Sequence, residues 1–186
     1  MRVFAAIPLP DDIKQYARMM RNKLGIARPD IKWVEYQNYH LTVKFLGEVD
    51  FNDLPEIKRN LRLAADSSPA HNLSAGGIGF FPNQAQPRVM WMGIKGEINK
   101  TEFLCDRVDA YLSPLGFAPE KDHRLHLTLG RIRSDKNLKE MLNLLEKYPD
   151  RNKLRSFRVE QFYLMQSVLD GNGPQYHVLD TYTLNG

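Results

Sequence analysis

The chain has 186 residues, 42% of them hydrophobic, and its 26 lysines and arginines exceed its 22 acidic residues for a formal charge of +4. That length carries one substantial domain or two small packed lobes, and the modest positive excess permits attraction to phosphates without establishing it. No apolar run approaches the roughly 20 residues that span a bilayer, the N-terminus has no signal-peptide pattern, and the single cysteine, Cys105, excludes an intramolecular disulfide framework, so the cytoplasm is the expected compartment.

In chain order, Arg2–Ile7 reads as a strand stopped by Pro8 and Pro10, with Asp11 or Asp12 expected to cap a helix running to about Leu24 on an apolar stripe of Ile13, Tyr16, Ala17 and Met20. A short strand over Ile31–Val34 leads to Tyr39–Glu48, the first of two related stretches. Leu54, Ile57, Leu61 and Ala64 or Ala65 recur at helical spacing, and Pro55 is tolerated in the first turn. His71–Ile78 runs into a glycine-rich GGIGFFPN segment that lacks the Lys-Ser/Thr pair of a Walker loop. Arg88–Ile94 is a strand, Ile98–Leu112 a helix with Cys105 in its core, and Gly116–Arg124 a connection into the second stretch, Leu125–Arg131. Leu138, Met141, Leu142 and Leu145 define another helix. Arg155–Gln166 and Tyr176–Leu184 read as antiparallel strands joined by the turn-forming LDGNGP. Glycine and proline punctuate the whole sequence and no segment stands out as a linker, so residues 1–186 are expected to form one compact unit. The strand–helix order fits a two-layer α+β architecture.

The two related stretches are YHLTVKFLGE and LHLTLGR. Period-two alternation puts His40, Thr42 and Lys44 on one face, with Leu41, Val43 and Phe45 on the other. It likewise opposes His126 and Thr128 to Leu125, Leu127 and Leu129. Two His-Leu-Thr strands whose histidines lie 86 residues apart suggest related halves with a cleft between them. Imidazole titrates near pH 6.5, so one ring can take a proton while the other gives one, and both threonines can hydrogen-bond nonbridging phosphate oxygens. No metal is required for this chemistry, and no cofactor is expected. A structural zinc site would need about four convergent ligands, the His-Glu-x-x-His pattern is missing, and there is no Gly-x-Ser-x-Gly elbow.

With its paired H-x-T motifs the sequence resembles the two-histidine phosphoesterase superfamily, and within it the RNA 2′,3′-cyclic phosphodiesterases historically called 2′-5′ RNA ligases. The resemblance runs in order through RVFAAIPLP, IKWV, YHLTVKFLGEV, GIGFFPNQAQPRVMWMGI, HRLHLTLGRI and SVLDGNGPQYHVL. It implies an α+β bilobal fold of two pseudo-symmetric antiparallel sheets with outer helices and a central cleft. It also implies metal-independent hydrolysis of the terminal 2′,3′-cyclic phosphate of RNA, including tRNA fragments or short oligonucleotides, to a 2′-phosphate with a free 3′-hydroxyl. Carried onto this chain, it makes His40 the acid and His126 the base, with Thr42 and Thr128 on the phosphate.

Arg131 matches the basic residue after the second motif, although plain alternation opposes it to His126 and a phosphate contact would need a twist, bulge or strand end. Lys44 has the parity for a substrate-end or rim contact. Either Phe80 or Phe81 can stack on a terminal base, with Phe80 the first candidate. His71, His123 and His177 belong to no further motif, and Ser167, Gly173 and Tyr176 are accounted for by hairpin geometry and lobe packing. Three other readings remain: a related nucleotide cyclic phosphodiesterase, a 2′-5′ RNA ligase or phosphodiesterase, and a module that binds RNA ends without turnover. The chain lacks the lysine-centred signature of nucleotidyl-transfer ligation, so ATP is not expected as a cofactor.

Overall fold

A computed structural model describes residues 1–186. The elements run β1 (Arg2–Pro8), α1 (Asp11–Gly25), β2 (Ile31–Trp33), β3 (His40–Glu48), α2 (Leu54–Asp66), β4 (His71–Phe81), β5 (Val89–Gly96), α3 (Ile98–Leu112), β6 (His126–Ile132), α4 (Leu138–Lys147), β7 (Arg155–Val159), β8 (Gln161–Asp170) and β9 (Gly173–Thr183). Two sheets result, one of order β3-β1-β8-β9 and the other β2-β6-β5-β4-β7. All their pairings are antiparallel. The expected α+β architecture of two antiparallel sheets with outer helices is what the chain adopts.

The apolar stripes account for the helices. α1 buries Ile13, Tyr16, Ala17, Met20 and Leu24, and α2 buries Leu54, Ile57, Leu61, Ala64 and Ala65. α1 packs against α4 and α2 against α3. The Tyr16 hydroxyl donates to the Lys153 carbonyl at 2.9 Å, which ties α1 to the segment entering β7. Cys105 is buried in α3, where burial pushes its thiol up to about 12, so the helix-core reading holds. One contiguous core draws Val3, Ala5, Ile7, Phe162 and Leu164 from the first sheet together with Leu73, Met90, Met92, Leu127 and Leu129 from the second. No helix is long and apolar enough to cross a membrane.

Two expectations change. Pro10 occupies the N-cap of α1 and no side chain caps it; Asp11 and Asp12 sit in the first turn, where they face the positive end of the helix dipole. The strand expected over Arg155–Gln166 is two strands, because the chain changes sheets at Glu160. β7 completes the second sheet against β4, and β8 enters the first beside β1. The transfer shifts the apolar parity, from Phe157 and Val159 buried in β7 to Phe162 and Leu164 buried in β8. The LDGNGP turn closes as expected: Asp170 pairs with Gly173, whose φ of +112° favours glycine, and the Asp170 carboxylate accepts from the Asn172 N–H at 2.8 Å.

Both motif strands break step at the same place. In β3, Thr42 and Lys44 oppose the consecutive residues Ala6 and Ala5, leaving Val43 as an extra residue. In β6, Thr128 and Gly130 oppose Trp91 and Met90, leaving Leu129 extra. Each bulge falls three residues after the histidine and reverses the facing of the residues that follow it, in β3 as far as a second irregularity at Leu46. Phe45 and Arg131, each five residues after its histidine, therefore join the histidine face. Phe45 was expected on the apolar face; it is instead 69% exposed.

Candidate active site

β3 and β6 approach each other across a cleft of about 660 Å³, a size typical of small-molecule sites. His40 and Thr42 face it from the first sheet, and His126, Thr128 and Arg131 from the second. Five of the seven candidate residues thus share one cavity with their functional groups turned toward it, and the bulge at Leu129 supplies the turn that Arg131 needs.

Both imidazoles are set by their surroundings. His40 Nδ1 lies 2.7 Å from the Asn38 carbonyl, and because a carbonyl only accepts, Nδ1 carries the hydrogen. In the neutral ring Nε2 is then the acceptor, facing the Thr42 hydroxyl at 3.0 Å. The His40 ring also has Phe4 at 5.1 Å and meets Tyr176 edge-on at 5.4 Å and 81°. His126 repeats the pattern with other residues: Phe81 edge-on at 5.1 Å and 75°, and Trp91 at 6.0 Å. A methyl group at position 79 would lie 2.2 Å from the Trp91 ring, so glycine is required there for Trp91 to hold its place beside His126. The Nδ1 of His126 falls short of hydrogen-bonding geometry with the Arg124 backbone, which still exerts the one raising influence on this ring.

Burial lowers the pKa of both histidines. For His40 the Lys14 charge adds to the lowering against the opposing Asn38 carbonyl, and for His126 the Arg124 guanidinium adds to it.

Two candidates move. Phe80 is 8% exposed and belongs to the core; its neighbour Phe81 lines the cleft, with the Arg124 guanidinium over its ring at 5.1 Å. Consecutive strand residues face opposite ways, so one of the pair had to be buried. Lys44 is turned inward by the bulge at Val43. It lies in the cleft floor at 3% exposure, its ammonium 2.5 Å from the Asp109 carboxylate of α3 and donating to the Ala118 carbonyl at 2.8 Å, so it has no free charge to offer at the rim.

The cleft also contains residues that the sequence did not mark. Tyr176, assigned to packing, stands beside His40. Phe45 reaches the cleft through a bulge. The segment 118–124 forms one wall, held by Asp109, which accepts from the Glu120 N–H at 3.0 Å, and by His123, whose Nε2 is 3.1 Å from Asp106. His71 is fully buried with Thr101 at 2.7 Å, and Arg151 and Arg155 serve the α4 terminus and the Tyr16 ring, so these two cations are structural. Only a tandem of His-x-Thr-x-x-Phe and His-x-Thr-x-x-Arg in the sequence could have hinted at Phe45.

Known proteins share this architecture. A Thermus thermophilus protein of known crystal structure superposes with a TM-score of 0.80 at 27% identity, covering 100% of this chain and 99% of that one. Escherichia coli LigT, at 24% identity and a TM-score of 0.77, shows the same fold over 100% of this chain and 98% of its own. The RNA 2′,3′-cyclic phosphodiesterase of Methanocaldococcus jannaschii is 37% identical over 179 residues, 96% of this chain and 98% of that protein. The protein of the same description from Archaeoglobus fulgidus is 36% identical over 183 residues, 98% of this chain and 99% of that one. The LigT like phosphoesterase family matches residues 7–91 and 96–176. Since the first matched segment holds His40-Leu-Thr42 and the second His126-Leu-Thr128, the chain belongs to the LigT like phosphoesterases, a phosphodiesterase family of the two-histidine superfamily.

Proposed function

We propose that this single bilobal unit opens the terminal 2′,3′-cyclic phosphate of RNA by water attack, with His126 as base and His40 as acid. The observation that carries the reading is the convergence of two His-x-Thr pairs, one from each sheet, on one cleft; relatives described as RNA 2′,3′-cyclic phosphodiesterases support the substrate. Neutral His126 takes a proton from water as its oxygen bonds to phosphorus. The bond from phosphorus to the ribose 3′-oxygen breaks, and the His40 imidazolium gives its proton to that oxygen. The product is a 2′-phosphate with a free 3′-hydroxyl.

The His40–Thr42 contact gives the step a trigger. While His40 is neutral, its Nε2 accepts the Thr42 hydroxyl hydrogen across 3.0 Å. Once protonated, Nε2–H becomes a donor and the Thr42 hydrogen is released toward a phosphate oxygen. Thr128 and Arg131 face the same space from the other sheet. Their hydrogen bonds strengthen as charge accumulates on the nonbridging oxygens.

The discriminating experiment incubates a defined oligonucleotide ending in a 2′,3′-cyclic phosphate and resolves the product chromatographically. A 2′-phosphate is the expected product; a 3′-phosphate reverses the leaving-group assignment, and binding without change at the terminus favours an RNA-end module. Proton transfer rests on side chains in this scheme, so turnover is expected to persist in EDTA. Complete loss that one divalent ion restores would replace the scheme with a metal-assisted one.

The pH profile follows from the lowered histidines. In the free protein both rings hold a proton less readily than an ordinary imidazole, so the state with one ring protonated is populated only on the acid side of 6.5. The kcat/KM bell is expected to peak there. A bound phosphate anion favours imidazolium, so the kcat bell is expected at higher pH. The limbs belong to the coupled pair rather than to either ring. A kcat/KM optimum well above 7 contradicts this electrostatic reading.

A further inference from the structure

The pseudo-symmetry of the two motif strands fails at one position in the cleft. Five residues after each histidine, behind matching bulges, the second sheet presents Arg131 and the first presents Phe45. Phe45 is 69% exposed on an edge strand, a flat ring left open to solvent. It does not mark the end of the cleft. Beyond it lies a second hollow of about 290 Å³, which shares Phe45, Pro174 and Tyr176 with the catalytic cleft and is continued by Arg2, Ser167 and Leu169. Leu169 is 72% exposed.

The hollow is apolar with a cation on its edge. Glu48, opposite Arg2 in the sheet, pairs with the chain's amino group at 3.4 Å, and the Arg2 guanidinium has no carboxylate partner. Arg131 lines the catalytic cleft, Arg2 lines the hollow, and Tyr176 lines both. From the catalytic cleft outward the order is therefore guanidinium, aromatic ring, guanidinium. The opposite wall carries the carboxylates of Glu120 and Asp122, an unfavourable path for a polyanion.

We propose that the second hollow is the subsite for the nucleotide preceding the reacting end: its base stacks on Phe45 and Leu169, and Arg2 binds the phosphate that joins it to the terminal nucleoside. The inference rests on the cleft being the site of an RNA cyclic-phosphate end, and it assigns to particular residues the contacts by which a longer chain is preferred over the mononucleotide. Stacking on an open ring tolerates any base, and a guanidinium holds a phosphate bidentately, so the preference is for chain length rather than sequence.

The test compares adenosine 2′,3′-cyclic phosphate with a dinucleotide ending in the same group. The wild-type protein is expected to favour the dinucleotide in kcat/KM by roughly tenfold or more, and that advantage should shrink as salt rises, as it does for a single-strand phosphate contact. Arg2→Gln should remove most of the advantage and its salt dependence while leaving the mononucleotide rate unchanged, and Arg2→Lys should retain part of it. Equal treatment of the two compounds by the wild type, or an equal loss on both in Arg2→Gln, overturns the subsite and leaves the function standing. Failure of the wild type to open either compound overturns the reading of the cleft and the subsite with it.

Discussion

Replacing His40 or His126 by alanine is expected to slow single-turnover opening of an RNA 2′,3′-cyclic phosphate by roughly 10² or more, the scale of a lost general acid or base. Neither ring lies in the apolar core. Each faces the cleft, with its aromatic neighbours anchored independently: Phe4 is 4% exposed in β1, and Trp91 is held in the central strand β5 over Gly79. Both variants should therefore fold, which a cooperative thermal transition would show. They should also differ in one respect. The Nδ1–H of His40 is committed to the Asn38 carbonyl and its Nε2 to Thr42, whereas Nδ1 of His126 has no such anchor. Loss of His40 thus leaves the Thr42 hydroxyl free to donate to a phosphate oxygen, and His40→Ala combined with Thr42→Ala should cost about 1–3 kcal/mol more than His40→Ala alone. Thr128→Ala removes one phosphate hydrogen bond and should cost about 1–3 kcal/mol of transition-state stabilisation. Near-normal turnover in either folded histidine variant ends the two-histidine mechanism.

How much of this site the sequence discloses depends on how local its cause is. Alternation within His40–Thr42 and His126–Thr128 is set by the pleat, and it places both pairs on the cleft face as read. Beyond those tripeptides, facing is set by bulges at Val43 and Leu129, which arise from pairing with β1 and β5 and leave no compositional mark. Two misreadings share that origin: Phe45 is in the cleft, and Lys44 is buried in its floor. Arg131 was read as needing an irregularity, and the pairing with β5 supplies it. The exchange of Phe80 for Phe81 is a matter of parity, undecidable in a glycine-rich segment with apolar residues on either side. The helices were legible because their stripes repeat every turn, and α3 was read to the residue as Ile98–Leu112. The split of β7 from β8 was not: the apolar parity shifts across Glu160, from Phe157 and Val159 to Phe162 and Leu164, but a shift of parity alone does not say that the two strands enter different sheets.

The ion pair that the Val43 bulge creates carries the largest stability effect expected. Lys44 and Asp109 side chains are 2% and 7% exposed, and their charged atoms are 2.5 Å apart. Removing one member leaves a buried charge unanswered, which costs about 3–5 kcal/mol, a large share of the 5–15 kcal/mol by which a domain is stable. Asp109→Ala should be the worse of the two. The carboxylate answers Lys44 and the Glu120 N–H, with His123 Nε2 3.5 Å away, whereas Lys44 without it keeps only the Ala118 carbonyl. A loss of that size in a chain this long corresponds to a fall in Tm of roughly 6–20 °C. Asp109→Ala should also weaken catalysis beyond its effect on stability, since the wall from Ala118 to Arg124 loses its anchor and Arg124 loses its fixed place over Phe81. Lys44→Met combined with Asp109→Leu replaces the pair by apolar volume. It should recover much of the lost stability, because no unpaired charge remains, but not the activity, because the Glu120 N–H still lacks its acceptor. Urea unfolding of the wild type, both single variants and the double variant completes the cycle. Single variants that each lose less than about 1 kcal/mol would show that water reaches the pair and that the wall of the cleft is held by something else.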